Sequence, residues 1–369
     1  MKFEAEAGQL SAALNAVKGC VVRGSTLPIL AHVLLKSEAG KVSVTGTDLE
    51  REMTATFNAN VAEGGAAVLN AEILFGIVKR LPKAANVTIE PDGHRFKLTA
   101  HRSNYKLDAL EADQFPQMSA IEAKETVFAL PPAEISTMIR STIGTVSREE
   151  TRFYLCGIFL HVIGDKLIAA STDGHRLSYR EMDAPEGVEF SGIIIPTATA
   201  NEIAAMVEKV EGDVSLSISQ NRMSITVPGI TLTSKLIDGS FPDYARVIPR
   251  LNGAALTVRP AHLAEAIERA AVVLTDSDRK APPVGIVTTP NGINVLAGNG
   301  GADDATEEVD AEIHDTGVST AARAQYFAQL LGVWPDVPVS LQFSNPNDPI
   351  LITSKEVPAM KQVLMPMRR

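Results

Sequence analysis

The sequence predicts an α+β fold written as three tandem copies of one domain, each with two helices on antiparallel sheets. Three observations carry that expectation. A closing stretch recurs, as YKLDALEADQFP (105–116), LTSKLIDGSFPDY (232–244) and ITSKEVPAMKQVLMP (352–366). Apolar residues repeat at common offsets near the start of each copy, and a second amphipathic segment aligns without a gap in all three. Recurrence at a long period of about 125 residues is the mark of a repeated structural unit. The copies span 1–120, 121–249 and 250–369.

Each copy opens with a short strand leading into a helix. Phe3, Leu10 and Leu14 share their spacing with Phe128, Ile135 and Ile139, and with Leu256, Leu263 and Ile267. The last two of each trio are four apart, which places them on one helical face. Pro131, Pro132 and Pro260 sit where a helix start tolerates a missing N–H. Strand pairs with tight turns follow, at Glu38 to Lys41, Ile163 to Lys166 and Pro290 to Ile293, the last with an Asn-Gly pair that favours a hairpin. The second helix is expected over 71–81, 200–210 and 324–334. After it come alternating strands from Val87, Val214 and Val339, the pattern of a half-buried strand.

Composition fits a globular chain. Of 369 residues, 45% are hydrophobic and 21% charged, so extended disorder is excluded. Apolar runs are too short to span a bilayer as helices. The start, MKFEAEAG, lacks a signal-peptide pattern, and the chain reads as cytoplasmic. Cys20 and Cys156 are isolated, which argues against a disulfide framework. A net charge of −10 argues against a tight static grip on nucleic acid, whose affinity comes from neutralised phosphates. It leaves room for a locally basic surface.

Catalytic chemistry does not stand out. Asp173 and His175 in STDGHRLS (171–178) could suggest acid–base work, but TGTDLERE (45–52) holds the equivalent place without a histidine. A shared scaffold turn is the simpler reading of Asp48 and Asp173, with His175 and Arg176 as local additions. Gly298 to Gly301 lacks the Gly-Lys-Ser/Thr of a phosphate loop. Asp303, Asp304, Glu307 and Glu308 lack calcium-loop spacing, and the histidines show no metal-ligand pair. No cofactor or metal is expected. The tail Val363 to Arg369 is apolar and methionine-rich, which suits either an adaptable binding surface or a last edge strand.

Taken together, TLPIL (26–30), TGTDLE (45–50), STDGHRLS (171–178), TSKLIDGSFPDY (233–244) and VLMPMRR (363–369) resemble the bacterial DNA polymerase III beta subunits, the replicative sliding clamps. The resemblance runs the length of the chain. It implies three clamp domains and a head-to-tail homodimer forming a pseudo-six-fold ring around duplex DNA, with helices lining the hole. A ring holds by topology and needs no tight phosphate grip. The implied function is that of a polymerase processivity factor, not an enzyme.

By the same resemblance, a partner-peptide pocket is expected at Leu155, Thr172, Gly174, His175, Arg176, Leu177, Pro242, Arg246, Val247, Val363, Met365, Pro366, Met367 and Arg368. Arg176 and Arg246 would grip peptide carbonyls or an acidic residue. The implied partners are double-stranded DNA without sequence preference, the polymerase III catalytic subunit, the clamp loader, and repair polymerases, ligase and mismatch-repair proteins bearing Leu/Phe motifs. DNA-facing candidates are Arg23, Lys79, Arg80, Arg140, Arg148, Arg152, Lys209 and Arg269, with Lys18 and Arg323 on the same helices or beside them. The dimer seam is expected to set Asp303, Asp304, Glu307 and Glu308 against Lys79, Arg80, Arg102 and Lys106, around Ile77, Leu81, Val272 and Val273. Two rivals stand beside this reading: a repeat-built enzyme using Asp173 and His175, and a protein-only scaffold.

Overall fold

The computed structural model describes residues 1–118, 126–208, 210–250, 255–274, 283–298, 303–343 and 345–367. Its elements run in one order three times: strand, helix, four strands, helix, three strands, with one short extra strand in each of the first and third copies. The helices among the described residues are α1 (Ala7–Val17), α2 (Ala71–Val78), α3 (Pro132–Thr142), α4 (Thr197–Val207), α5 (Pro260–Ala270) and α6 (Ala324–Leu331). All nine residues of the repeated apolar trios are buried. Prolines head α3 and α5, as their fixed φ and missing N–H allow.

The second helices differ from expectation at their ends. All three stop three residues early, at Val78, Val207 and Leu331, and α4 begins a turn early, at Thr197. The buried phase is kept: Ala71, Leu74 and Val78 recur as Ala200, Ile203 and Val207, and Phe327 and Leu331 hold the last two places. Core-facing spacing therefore reads the helix better than composition reads its ends. At the third copy's hairpin the loop residues are Pro290 and Asn291, because Gly292 already pairs with Thr289. A Cβ on Gly292 would meet the Val309 carbonyl oxygen at 2.5 Å, so that glycine serves close strand approach rather than the turn. The Glu38–Lys41 loop does match the twisted two-residue type, with Ala39 and Gly40 both at positive φ.

The chain folds into two compact units, 1–132 with 205–236, and 133–204 with 237–369. These cut across the sequence copies because sheets continue over copy junctions. In the first unit a thirteen-stranded sheet includes the pairing of Ile230–Lys235 with Arg51–Asn58. In the second a nine-stranded sheet includes the equivalent pairing of Met360–Leu364 with Arg176–Asp183. Strand Met360–Leu364 also pairs with Ile350–Thr353, so it is internal and not the edge strand that the tail's composition allowed. A four-stranded sheet completes this unit, with Asp304–Val309 at one edge. The third copy's core packs Leu263 and Ile267 of α5 with Phe327 and Leu331 of α6.

Candidate functional site

The second unit's cleft is organised by the turn Thr172 to Arg176. Thr172 Oγ1 donates to the Arg176 carbonyl at 2.8 Å and accepts from the Gly174 N–H at 3.0 Å. Asp173 Oδ1 accepts the backbone N–H groups of His175 and Arg176, and Oδ2 takes Arg176 Nε at 3.0 Å. Short polar side chains that bond their own backbone close such turns without a helix or ladder. Gly174 sits at φ +87°, and a Cβ there would come within 2.9 Å of Arg152 Nη1.

The scaffold reading of the two aspartates is seen in full, with one correction. Arg176 is no local addition: Asp48 holds Arg51 by the same contacts, so TDLER (47–51) and TDGHR (172–176) are one motif. Arg176 is also buried and spent. Its Nη1 donates to Gln329 Oε1 at 2.6 Å, and its guanidinium lies 4.2 Å from the Tyr326 ring centroid. It is a scaffold member of the cleft and part of its lining as well. Asp173 and His175 form no side-chain dyad, since the His175 ring stacks toward Tyr326 instead.

The cleft is about 170 Å³, with Leu155, Thr172, Gly174, Arg176, Leu177, Pro242, Val247, Val363 and Met365 in its lining. Leu177 and Val363 sit opposite one another on adjacent strands, and both belong to one buried cluster with Tyr244. Half-exposed Val247 and Met365 leave apolar surface at its mouth. Of the other expected residues, His175 touches the tail through its carbonyl, which accepts the Met365 N–H at 2.8 Å. Met367 N–H bonds the Ala321 carbonyl, so the tail crosses away from the cleft, and neither Pro366 nor Met367 lines it. Arg246 is exposed at the rim, with Nε on Asp243 at 2.7 Å. Arg368 and Lys209, like 299–302 and the copy junction at 119–125, lie outside the described residues.

Two lining residues were missed, Asp243 and Tyr244, although the FPDY ending of the recurrent stretch contained both. Tyr244 is braced by His161, a buried histidine with no sequence signal at all. The phenol oxygen is 3.0 Å from His161 Nε2, and Phe159 stacks on the imidazole at 4.4 Å. Burial lowers the His161 pKa to about 4 and, foremost among its causes, raises that of Tyr244 to about 12. A neutral, apolar-walled floor results, which favours aliphatic and aromatic side chains over charged ones.

The expected DNA-facing cations are mostly exposed but not all unengaged. Lys18 and Lys79 each stand 5.7 Å from the Phe75 ring centroid, and Arg80 donates to the Gly76 carbonyl. Arg23 reaches Glu72 at 3.4 Å, while Arg152 pairs with Glu149. Arg140 and Arg148 are exposed. Arg323 stacks on Tyr326, 4.9 Å from the ring centroid. Arg269 is bound to Glu307 at 2.8 Å and lies near Glu265.

That last pair bears on the expected seam. Along Asp304–Val309, Asp304 and Glu308 are exposed, whereas Glu307 turns to the opposite face and is held by Arg269. Asp303 and Arg102 are exposed, Lys106 pairs with Asp92 at 3.0 Å, and Val272 is 80% exposed. Ile77, Leu81 and Val273 are half-buried. Among the described residues no cluster of three His, Cys, Asp or Glu is placed to hold a metal, and no helix is long and apolar enough to cross a membrane.

Comparison with known proteins adds to this geometry. Models of the DNA polymerase III beta subunit match in series: the N-terminal domain at 1–119, the central domain at 129–243 and the C-terminal domain at 245–368. The chain is 34% identical to the beta sliding clamp of Caulobacter vibrioides and 29% identical to that of Escherichia coli, over the whole of every chain compared. Among solved structures, a beta sliding clamp of Caulobacter crescentus superposes with a TM-score of 0.94 at 34% identity. A Pseudomonas aeruginosa clamp bound to griselimycin superposes at 0.92 and 30%, again covering both chains entirely.

Proposed function

The chain belongs to the DNA polymerase III beta subunit family, the beta sliding clamps, and from that premise we propose how this molecule serves replication. It acts as a processivity factor: it encircles duplex DNA and tethers the polymerase, and it performs no chemistry of its own. The single observation that carries the tethering role is the run of apolar residues in the cleft, Leu155, Leu177, Val247, Val363 and Met365. It fits two apolar side chains of an extended peptide, worth about 1.5–3 kcal/mol each before ordering costs. Binding of this size suits micromolar affinity and exchange among the polymerase, the clamp loader and repair proteins. Arg246, exposed at the rim, is the cation placed to meet an acidic peptide residue.

Ring closure is supported by a pattern inside the chain. The first unit seats Ile230–Lys235 on Arg51–Asn58, and the second seats Met360–Leu364 on Arg176–Asp183. The next pair in that series would seat Ser103–Leu110 of one copy on Asp304–Val309 of another. Asp304–Val309 ends its sheet, and residues 103–108 have a ladder partner on one side only, at 95–100. Two such seams close a head-to-tail dimer. Exposed Asp304 and Glu308 would then face cations such as Arg102, with Glu307 left to Arg269. Division of the chain at about 120 and 250 goes with this reading, supported by the threefold element order. A cytoplasmic location goes with a role on replicating DNA.

The test is retention after loading. Protein should stay on nicked circular DNA through a salt wash and be released when the circle is linearised. Equal loss from both forms would sink the encircling reading.

A further inference from the structure

The first unit contains a second cleft on the same backbone plan, of about 150 Å³. Its turn repeats the first in detail: Thr47 Oγ1 donates to the Arg51 carbonyl at 2.8 Å and accepts from the Leu49 N–H at 3.1 Å. Thr233 lies opposite Glu52 on adjacent strands, as Val363 lies opposite Leu177. Pro116 and Met118 line it where Pro242 and Tyr244 line the other. Position by position, Leu49 stands for Gly174, Glu52 for Leu177 and Lys235 for Met365.

Each exchange works against an apolar peptide. The Glu52 carboxylate accepts the Met118 N–H at 2.8 Å, which ties the closing segment down and places a charge where Leu177 offers a methyl. Lys235 is ion-paired to Glu50 at 2.9 Å. Leu and Phe side chains entering here would strip water from both charged groups without supplying hydrogen bonds. Leu49 holds φ +74°, one of three non-glycine residues with positive φ among those described, and its side chain lines the mouth that Gly174 leaves open. A strained conformation of this kind persists where the surroundings enforce it, and it points to a role for the side chain it carries.

We infer that the first unit carries a latent peptide pocket, closed to Leu/Phe peptides by Leu49, Glu52 and Lys235, so that one chain presents one peptide site. The inference rests on the peptide-binding reading of the second unit's cleft. These three residues set specificity by exclusion.

The experiment is calorimetric titration of the full chain with a synthetic hexapeptide carrying a Leu-Phe pair. Wild type should bind one peptide per chain. The Leu49→Gly/Glu52→Leu/Lys235→Met variant should bind two, the second within about tenfold of the first in affinity. Because Glu52→Leu removes the acceptor of the Met118 N–H, Leu49→Gly/Lys235→Met is titrated as well and should show a weaker second site. Adding Val247→Ser and Met365→Ser to the triple variant should weaken the original site at least tenfold and leave the affinity of the new one unchanged. A triple or double variant that melts as wild type does and still binds one peptide overturns the inference, and so does a wild type that binds two. A wild type that binds none removes the peptide reading itself, a result distinct from either.

Discussion

The Tyr244 hydroxyl meets Nε2 of His161 at 3.0 Å, so the floor of the cleft is braced from behind by a buried imidazole whose Nδ1 has no partner among the described residues. A second proton on that ring would add a donor with nothing to receive it. His161 therefore stays neutral in the fold and protonates in the unfolded chain. Its folded pKa of about 4 lies below the ordinary value of 6.5, so acid favours unfolding. Stability contributed by His161 is complete above about pH 6.5 and is lost as pH falls toward about 4, by at most ~1.4 kcal/mol per pH unit for one proton. Urea midpoints measured across that window should lose this slope in His161→Gln. An unchanged slope would assign it to other groups.

Arg176→Ala should be severe. The pair with Asp173 has side chains 8% and 12% exposed, and removing one partner strands the other without solvent. Loss of about 3–5 kcal/mol is expected in equilibrium denaturation. Arg176→Lys should recover little, because an ammonium cannot bond Asp173 and Gln329 while lying on Tyr326. Near-wild-type stability of the lysine variant would show that the stacked fork matters less than its charge.

Peptide affinity should fall without loss of fold when the cleft's mouth is made polar. Val247→Ser with Met365→Ser removes exposed apolar surface and should weaken binding at least tenfold, about 1.4 kcal/mol. Thermal unfolding should shift by no more than about 0.5 kcal/mol, as for other surface changes. Fluorescence anisotropy reads the first and calorimetry the second. Undiminished affinity would place the peptide elsewhere.

The dimer seam should be broken by Thr306→Pro. Proline cannot donate to a ladder, and in the edge strand Asp304–Val309 it suits an unpaired state better than a paired one. Sedimentation equilibrium should show dissociation at concentrations where wild type is dimeric. High salt should weaken the wild-type dimer more modestly, since exposed charges are screened while strand pairing is not. A Thr306→Pro dimer as strong as wild type would remove that edge from the seam.

Much of this was legible in the chain because repetition makes local signals check one another. Leu10 alone is one apolar residue, but Leu10, Ile135 and Leu263 at one offset define a helix face, and all are buried. Helix ends were less legible. The aligned apolar segments run on to Leu81, Val210 and Trp334, yet the helices end at Val78, Val207 and Leu331. In the site, the cleft's apolar residues came from the family resemblance, while the contacts of Arg176 could not be read from the chain. Its role depends on Gln329 and Tyr326, far along the chain, and single-residue chemistry gives no hint of either. His161 was silent for the same reason: a lone histidine in a strand means nothing until Tyr244 lands on it.

Strand Met360–Leu364 lies inside its sheet, joining hairpins of different ages. A ribosome delivers Leu177 long before Val363, so one wall of the cleft must wait for the other. Until late synthesis the exposed face of Arg176–Asp183 is an open ladder, and long-range closures of this kind are slow. The cleft is thus among the last features to mature, and a truncated chain lacking that strand would lack one of its walls.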